Sequence, residues 1–116
     1  TVDEDGNVYS VGQIGGSVDL GGGTQNFGGQ NDAYIVKHDS SGSFQWSKTF
    51  GSGSQNNIDK AQDIVIDSNG FVIAVGEVES QNIDFTSVGD GILTNYVTGD
   101  NPNFVLKIKS ATGLID

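Results

Sequence analysis

Asp3, Asp5 and Asn7 alternate within Asp3-Glu4-Asp5-Gly6-Asn7. Oxygen-bearing side chains at alternate positions are what a hard cation such as calcium needs around it. In a complete calcium loop of that kind, however, glycine stands sixth and a glutamate closes the loop at the twelfth position. Here the glycine stands fourth and no such glutamate follows. The related stretch Asp67-Ser68-Asn69-Gly70 has lost one of the acids. Both stretches therefore read first as hairpin turns, in which Asp-Gly and Asn-Gly supply a positive φ angle. Asp3, Asp5 and Asn7 remain as calcium candidates, and calcium is the only cofactor the residues suggest.

The other chemistry-bearing residues also read as structure. His38 is the single histidine. It has no second imidazole beside it and no Ser or Cys arrangement of the triad kind, so it reads as a strand residue partly covered by a neighbouring element. Asp19 in Val18-Asp19-Leu20 and Asp84 in Ile83-Asp84-Phe85 recur at matching places, which favours bonding to loop amides. Asp32, which opens a strand, reads the same way. No two carboxylates stand out as a general acid–base pair with separated pKa values, so the expectation is a protein that is not an enzyme. Trp46 offers a stacking surface, but Phe44 and Phe50 beside it in an alternating run point to packing. Gly21-Gly22-Gly23 and Gly51-Ser52-Gly53 open no helix and lack the Lys-Ser/Thr ending of a phosphate loop, so they read as flexible loops.

These residues hang on a central hairpin. Ala33-Tyr34-Ile35-Val36-Lys37-His38 is rich in β-branched and aromatic residues and fits no helical period. Tyr34, Val36 and His38 share one face and Ile35 and Lys37 the other, so a strand covered on both sides is expected. Asp39-Ser40-Ser41-Gly42 carries turn chemistry. The run 43–50 then alternates, with Phe44, Trp46, Lys48 and Phe50 on one face and Ser43, Gln45, Ser47 and Thr49 on a wet face, as in an outer strand.

Composition narrows the possibilities. The chain has 116 residues, 34% hydrophobic, with 18 glycines and a single proline, which suits many short strands and turns. Fifteen acids against five lysines give a net charge of −10, a surface that repels phosphate backbones and anionic membranes, so nucleic acid is not an expected partner. Cysteine is absent, which removes disulfide and thiolate chemistry. No apolar run approaches the roughly 20 residues of a membrane-spanning helix, so no membrane insertion is expected. No signal peptide is visible, and any targeting segment is expected to lie outside this stretch.

The sequence also repeats itself. Asp5-Gly6-Asn7-Val8-Tyr9-Ser10-Val11-Gly12 matches Asn69-Gly70-Phe71-Val72-Ile73-Ala74-Val75-Gly76 at an offset of 64 (70 − 6). Tyr34-Ile35-Val36-Lys37 matches Phe104-Val105-Leu106-Lys107 at 70 (104 − 34), the extra residues falling in the intervening loop, where insertions cost little. One unit reads as four strands: 61–67, 71–77, 33–39 (echoed by 104–109) and 44–50. Short turns join the first to the second and the third to the fourth. Long polar stretches make the other links, which gathers the variable loops on one side.

A repeated four-stranded meander is the mark of a β-propeller blade. The stretches 5–12, 32–42, 46–51 and 61–76, which read D-x-x-G-N-V-Y-x-x-G, D-A-Y-I-V-K-x-D-x-S-G and W-S-K-T-F-G in part, resemble the bacterial SBBP repeats, named for seven-bladed β-propellers. They cover about a third of the chain. A longer turn at 108–113 departs from the pattern by one residue. The resemblance implies an extracellular or cell-surface bacterial scaffold or binding module.

The expectation is an all-β chain of about two four-stranded antiparallel blades, incomplete at both ends: residues 1–50 the first and 51–116 the second. Residues 1–3 would be the end of a first strand and 114–116 the start of a fourth. Because two blades alone leave apolar faces and strand edges bare, the partners expected are other blades of a longer chain or other copies of this one. A protein or glycan ligand would meet the long loops, where Gln25, Asn26, Asn56, Asn57, Asp90 and Asp100 collect. The alternatives are a propeller supporting an active site elsewhere, and a structural element that closes a ring from several chains.

Overall fold

Among the described residues every regular element is a strand, because short period-2 runs separated by Asp/Gly turns favour local pairing over any helix. The computed structural model describes residues 1–26, 31–51, 58–78 and 103–110. They form β1 (Val8–Ile14), β2 (Ser17–Asp19), β3 (Thr24–Asn26), β4 (Asp32–His38), β5 (Phe44–Phe50), β6 (Lys60–Ile66), β7 (Phe71–Glu77) and β8 (Asn103–Lys109). Two antiparallel three-stranded sheets result, ordered β1-β4-β5 and β6-β7-β8, with β2 and β3 as a separate small hairpin. That hairpin lies in what the sequence presents only as a long link. Its strands are three residues each and carry too little pattern to be read.

The repeat is exact in register. In the first sheet Val8 pairs with His38 and Val11 with Ile35; in the second, the equivalent Val72 pairs with Ile108 and Val75 with Val105. The expected remnant of a first strand is also there: Val2 bridges Val8, as Ile66 pairs with Val72 in the second sheet. The position expected for a fourth strand of the second unit, 114–116, lies outside the described residues, as do residues 111–113 of the longer turn.

One turn design closes three of the hairpins. Asp3 Oδ1 accepts the backbone N–H of Asp5 and Asn7 at 3.0 and 2.9 Å. Asp39 Oδ1 does the same for Ser41 and Ser43, and Asp67 Oδ1 for Asn69 and Phe71, all at 2.9 Å. Three residues after each Asp a glycine, Gly6, Gly42 or Gly70, sits at φ between 81° and 86° and donates its N–H to the carbonyl of that Asp. Among the described residues no non-glycine residue takes a positive φ, so Asp5 and Asn69 do not share that role with the glycines. Asp19 bonds the N–H of Gly21 and Gly23, the loop-amide role read from the sequence. Asp84 lies outside the described residues. A Cβ at Gly42 would meet nothing within 4 Å, so Gly42→Ala isolates the backbone term. It is expected to lower stability by about 1 kcal/mol in chemical denaturation, the cost of forcing an L side chain into the left-handed region.

The two sheets share one core. The first contributes Tyr9, Ala33, Ile35, Trp46 and Phe50; the second contributes Ala61, Ile64, Val72, Ala74, Phe104, Leu106 and Ile108, with Val78 just beyond β7. Phe50 meets Phe104 edge to face, with ring centres 5.0 Å apart. Trp46 is buried, as its alternating run indicates, and its indole N–H donates to the Ser110 carbonyl at 3.1 Å. Lys37 Nζ donates to the same carbonyl at 3.0 Å. β4 is covered on both faces, Ile35 on one and Val36 on the other, as its doubly apolar pattern requires.

Phe44 departs from expectation. The register shifts between Lys37 and His38, so Trp46 pairs with Lys37 while Phe44 pairs with His38. This bulge turns Phe44 to the face opposite Trp46 and Phe50, where it packs edge-on against the His38 ring and under Gly21 and Gly22. His38 is half-buried by its own sheet there, not by the other one.

The faces that meet in the core are not equivalent. The first sheet presents Tyr9, Val11 and Ile35. Their repeat equivalents, Ile73, Val75 and Val105, lie on the outer face of the second sheet, where Val75 is 39% and Val105 43% exposed. The second sheet presents Val72, Ala74, Phe104, Leu106 and Ile108. Their equivalents Val8, Ser10, Tyr34, Val36 and His38 lie on the first sheet's other face. The packing is therefore front to back.

Candidate functional site

Antiparallel pairing fixes which loops lie together. Ile14, Asp32 and Phe50 end their strands at one end of the first sheet, and Lys60, Glu77 and Asn103 do so in the second. All the long links leave from that end, and the Asp-x-x-Gly turns occupy the other. The strand ends that the long links join thus lie on one side.

Of the residues read as ligand-binding, Gln25 and Asn26 fall on β3, where Val18 pairs with Gln25 and Ser17 with Asn26. Asn56, Asn57, Asp90 and Asp100 lie outside the described residues. The long-link end also holds two buried carboxylates, Asp32 at 7% and Asp59 at 0% exposure. The Asp32 side chain lies directly over the α-carbon of Gly51, leaving no room there for a side chain. Asp59 donates its backbone N–H to the Asn31 carbonyl at 2.9 Å, beside a short parallel bridge between Asn31 and Ile58. The sequence passes over Asp59 because it stands in a polar stretch with no period of its own.

At the turn end lies a cleft of about 340 Å³. It is lined by Asp3, Glu4 and Asp5 from one unit and by Asp67, Ser68 and Ser110 from the other. Its acidity is largely committed to structure. Asp3 Oδ2 accepts from the Asn7 side-chain amide at 2.8 Å and the Tyr9 hydroxyl at 3.0 Å, while Oδ1 serves the turn. Lys107 pairs with Asp67 at 3.2 Å and lies over the Phe71 ring. Asp3 and Asn7 bond to each other, and among the described residues no group of three His, Cys, Asp or Glu side chains could hold a metal. The alternation of Asp3, Asp5 and Asn7 coincides with the turn's hydrogen bonds.

The electrostatics follow the hydrogen bonds. Burial alone would raise the Asp3 carboxyl, but bonds from Asn7, Tyr9 and Asp5 outweigh it and leave the pKa lowered. The Ser41 hydroxyl first, and then the Ser43 N–H, lower Asp39; the Phe71 N–H, with Asn69 and Lys107, lowers Asp67. Lys60, 3.1 Å away, lowers Glu77. Burial and the bond to Asp3 push the Tyr9 hydroxyl up to about 12. A lowered folded-state pKa stabilises the fold above the unfolded carboxyl value, near 4, and that stability is lost as pH falls through the folded value. The expected result is that stability declines on acidification below about pH 4, even though protonation relieves the net charge of −10. Asp39→Asn is expected to be less stable at neutral pH and to lose less on acidification, as chemical denaturation across pH will show.

No protein-family model matches the chain, and no curated protein matches it either. Among the described residues, no helix is long and apolar enough to cross a membrane.

Proposed function

We propose that the chain is a slice of a β-propeller, made of SBBP-type repeat units, that serves as a non-enzymatic scaffold or binding module. The observation that carries this reading is the front-to-back contact between the two units. Two copies packed like-face to like-face would satisfy each other and stop. A heterologous contact leaves the outer face of the second sheet bare and can propagate until a rotation closes it into a ring. The bare valines of the second sheet are the face on which the next unit would sit. The first sheet's other face would receive the unit before it, supplied by the same polypeptide or by other copies.

The binding side of this reading is the end from which the long links leave. Its glycine-rich and amide-rich composition suits hydrogen bonding to a glycan or an extended protein segment. The resemblance to surface and secreted bacterial repeats supports an extracellular or cell-surface setting. The test is titration of the amide NMR spectrum with a panel of neutral oligosaccharides and with extended peptides. Perturbation near Ile14, Ser17–Asp19, Asp32 and Glu77 is expected. Perturbation confined to Asp3, Asp5, Asp67 and Ser68 would move the site to the acidic cleft and overturn the assignment.

A further inference from the structure

The face of the first sheet that turns away from the second is not bare. It carries Val8, Ser10, Tyr34, Val36 and His38, and the bulge adds Phe44. Val36 is 3% exposed, yet it stands outside the core that the two sheets share. β1 ends with Ile14 at the long-link end of the sheet, whereas Phe44 begins β5 at the turn end. Gly21 and Gly22 nevertheless lie against Phe44. A Cβ at Gly21 would stand 2.9 Å from the Phe44 Cβ, and one at Gly22 would run into the ring. The chain has therefore crossed the length of the sheet within seven residues (21 − 14), close to the reach of extended backbone. The second sheet fills the other face, so the crossing is over this one.

The crossing segment is built to stay down. Asp19 Oδ1 accepts the N–H of Gly21 at 2.8 Å and of Gly23 at 3.0 Å, which stiffens the tip. Gly21 and Gly23 take φ of 114° and 100°, where an L side chain is strained. Gly22 takes no positive φ, so it is the Phe44 ring that excludes a side chain there. Val18 and Leu20 of the same segment are half-buried.

We propose that the β2–β3 hairpin is a strap that caps the first sheet, occupying the seat on which another unit would pack front to back. The repeat shows what the seat is for. Val72 and Leu106, the equivalents of Val8 and Val36, lie in the shared core, packed toward the first sheet. On the first sheet the strap stands where a neighbouring sheet would, and the two cannot cover Phe44 at once. The identity of that competitor rests on the ring reading; the strap's contact does not. With the strap down, a second copy of this chain cannot bring its exposed Val65, Val75 and Val105 against this face.

The experiment opens the strap in the full chain in two ways. Gly22→Val drives a side chain into the Phe44 ring, and Asp19→Ala removes the clamp on Gly21 and Gly23 without adding bulk. NMR ring-current shifts of Gly21 and residue 22 report whether the strap lies on Phe44, and sedimentation velocity over a concentration series reports association. The wild type is expected to show the shifts and to stay monomeric. The variants are expected to lose the shifts and to form concentration-dependent oligomers, with amide shifts changing at Val36 and His38 and at Val75 and Val105. Variants that lose the contact and stay monomeric overturn the proposal. So do shifts retained in both variants, or a wild type that associates through Val36 and His38 with its strap in place. Association through first-sheet faces alone, with Val75 and Val105 unperturbed, supports the cap while sinking the front-to-back reading, so the two fail separately.

Discussion

Gly76→Ala is expected to cost at least about 3 kcal/mol, among the largest losses any single methyl group can cause in this chain. A Cβ at position 76 would run into the carbonyl oxygen of Lys60 and would stand 2.6 and 2.8 Å from two atoms of the Phe104 ring. The carbonyl belongs to a paired strand and cannot yield without breaking the β6–β7 ladder. The ring is 2% exposed and is held edge to face against Phe50, so it cannot turn aside either. For a chain of this size the loss corresponds to a fall in Tm of about 10 °C or more, read by thermal unfolding. Gly12 supplies the internal comparison. It lies opposite Tyr34 as Gly76 lies opposite Phe104, and its Cβ would stand 2.9 Å from that ring. But Tyr34 is only half-buried, and no backbone atom is in the way. Gly12→Ala is therefore expected to cost clearly less than Gly76→Ala. Equal losses at the two positions would mean that the strand carbonyl is not what makes Gly76 obligatory.

Phe50→Ala is expected to cost about 3–5 kcal/mol, the usual range for deleting a buried aromatic ring. Phe50 is 2% exposed, and its ring is one side of the aromatic pair that joins the two sheets. The loss should not be confined to the first sheet. Because both sheets contribute to one core, the chain is expected to unfold in a single transition in both wild type and variant. Trp46, the single tryptophan, reports from the first sheet through its bond to the Ser110 carbonyl. Far-ultraviolet circular dichroism reports from both. Coincident midpoints are the expected outcome, and separated ones would mean that each sheet folds alone. A double-mutant cycle between Phe50 and Phe104 should return a coupling of about 1 kcal/mol for the edge-to-face contact.

The sequence by itself determined the strands, the turns and the repeat. Period-2 alternation, β-branched runs and Asp-x-x-Gly are properties of a few neighbouring residues, so strands 71–77 and 44–50 and the turns at Asp39 and Asp67 were legible without any long-range information. The offsets of 64 and 70 matched residues of one unit to residues of the other, and those equivalents meet equivalent partners in the two sheets. The candidate site was only half legible. The alternation at Asp3, Asp5 and Asn7 was visible, but that Asp3 Oδ2 accepts from the Asn7 amide and the Tyr9 hydroxyl was not. Tertiary structure alone decided which face of β1 and which face of β7 is inside. Val11 and Val75 are the same residue at the same place in the repeat, yet one packs against the core and the other is exposed. A local pattern cannot tell them apart, because the difference lies in which sheet stands beside them. The bulge that turns Phe44 away from Trp46, the burial of Asp59, and the Trp46 indole on the carbonyl of Ser110, 64 residues away, are decisions of the same kind. Each is set by a neighbour far along the chain, and only packing brings that neighbour close.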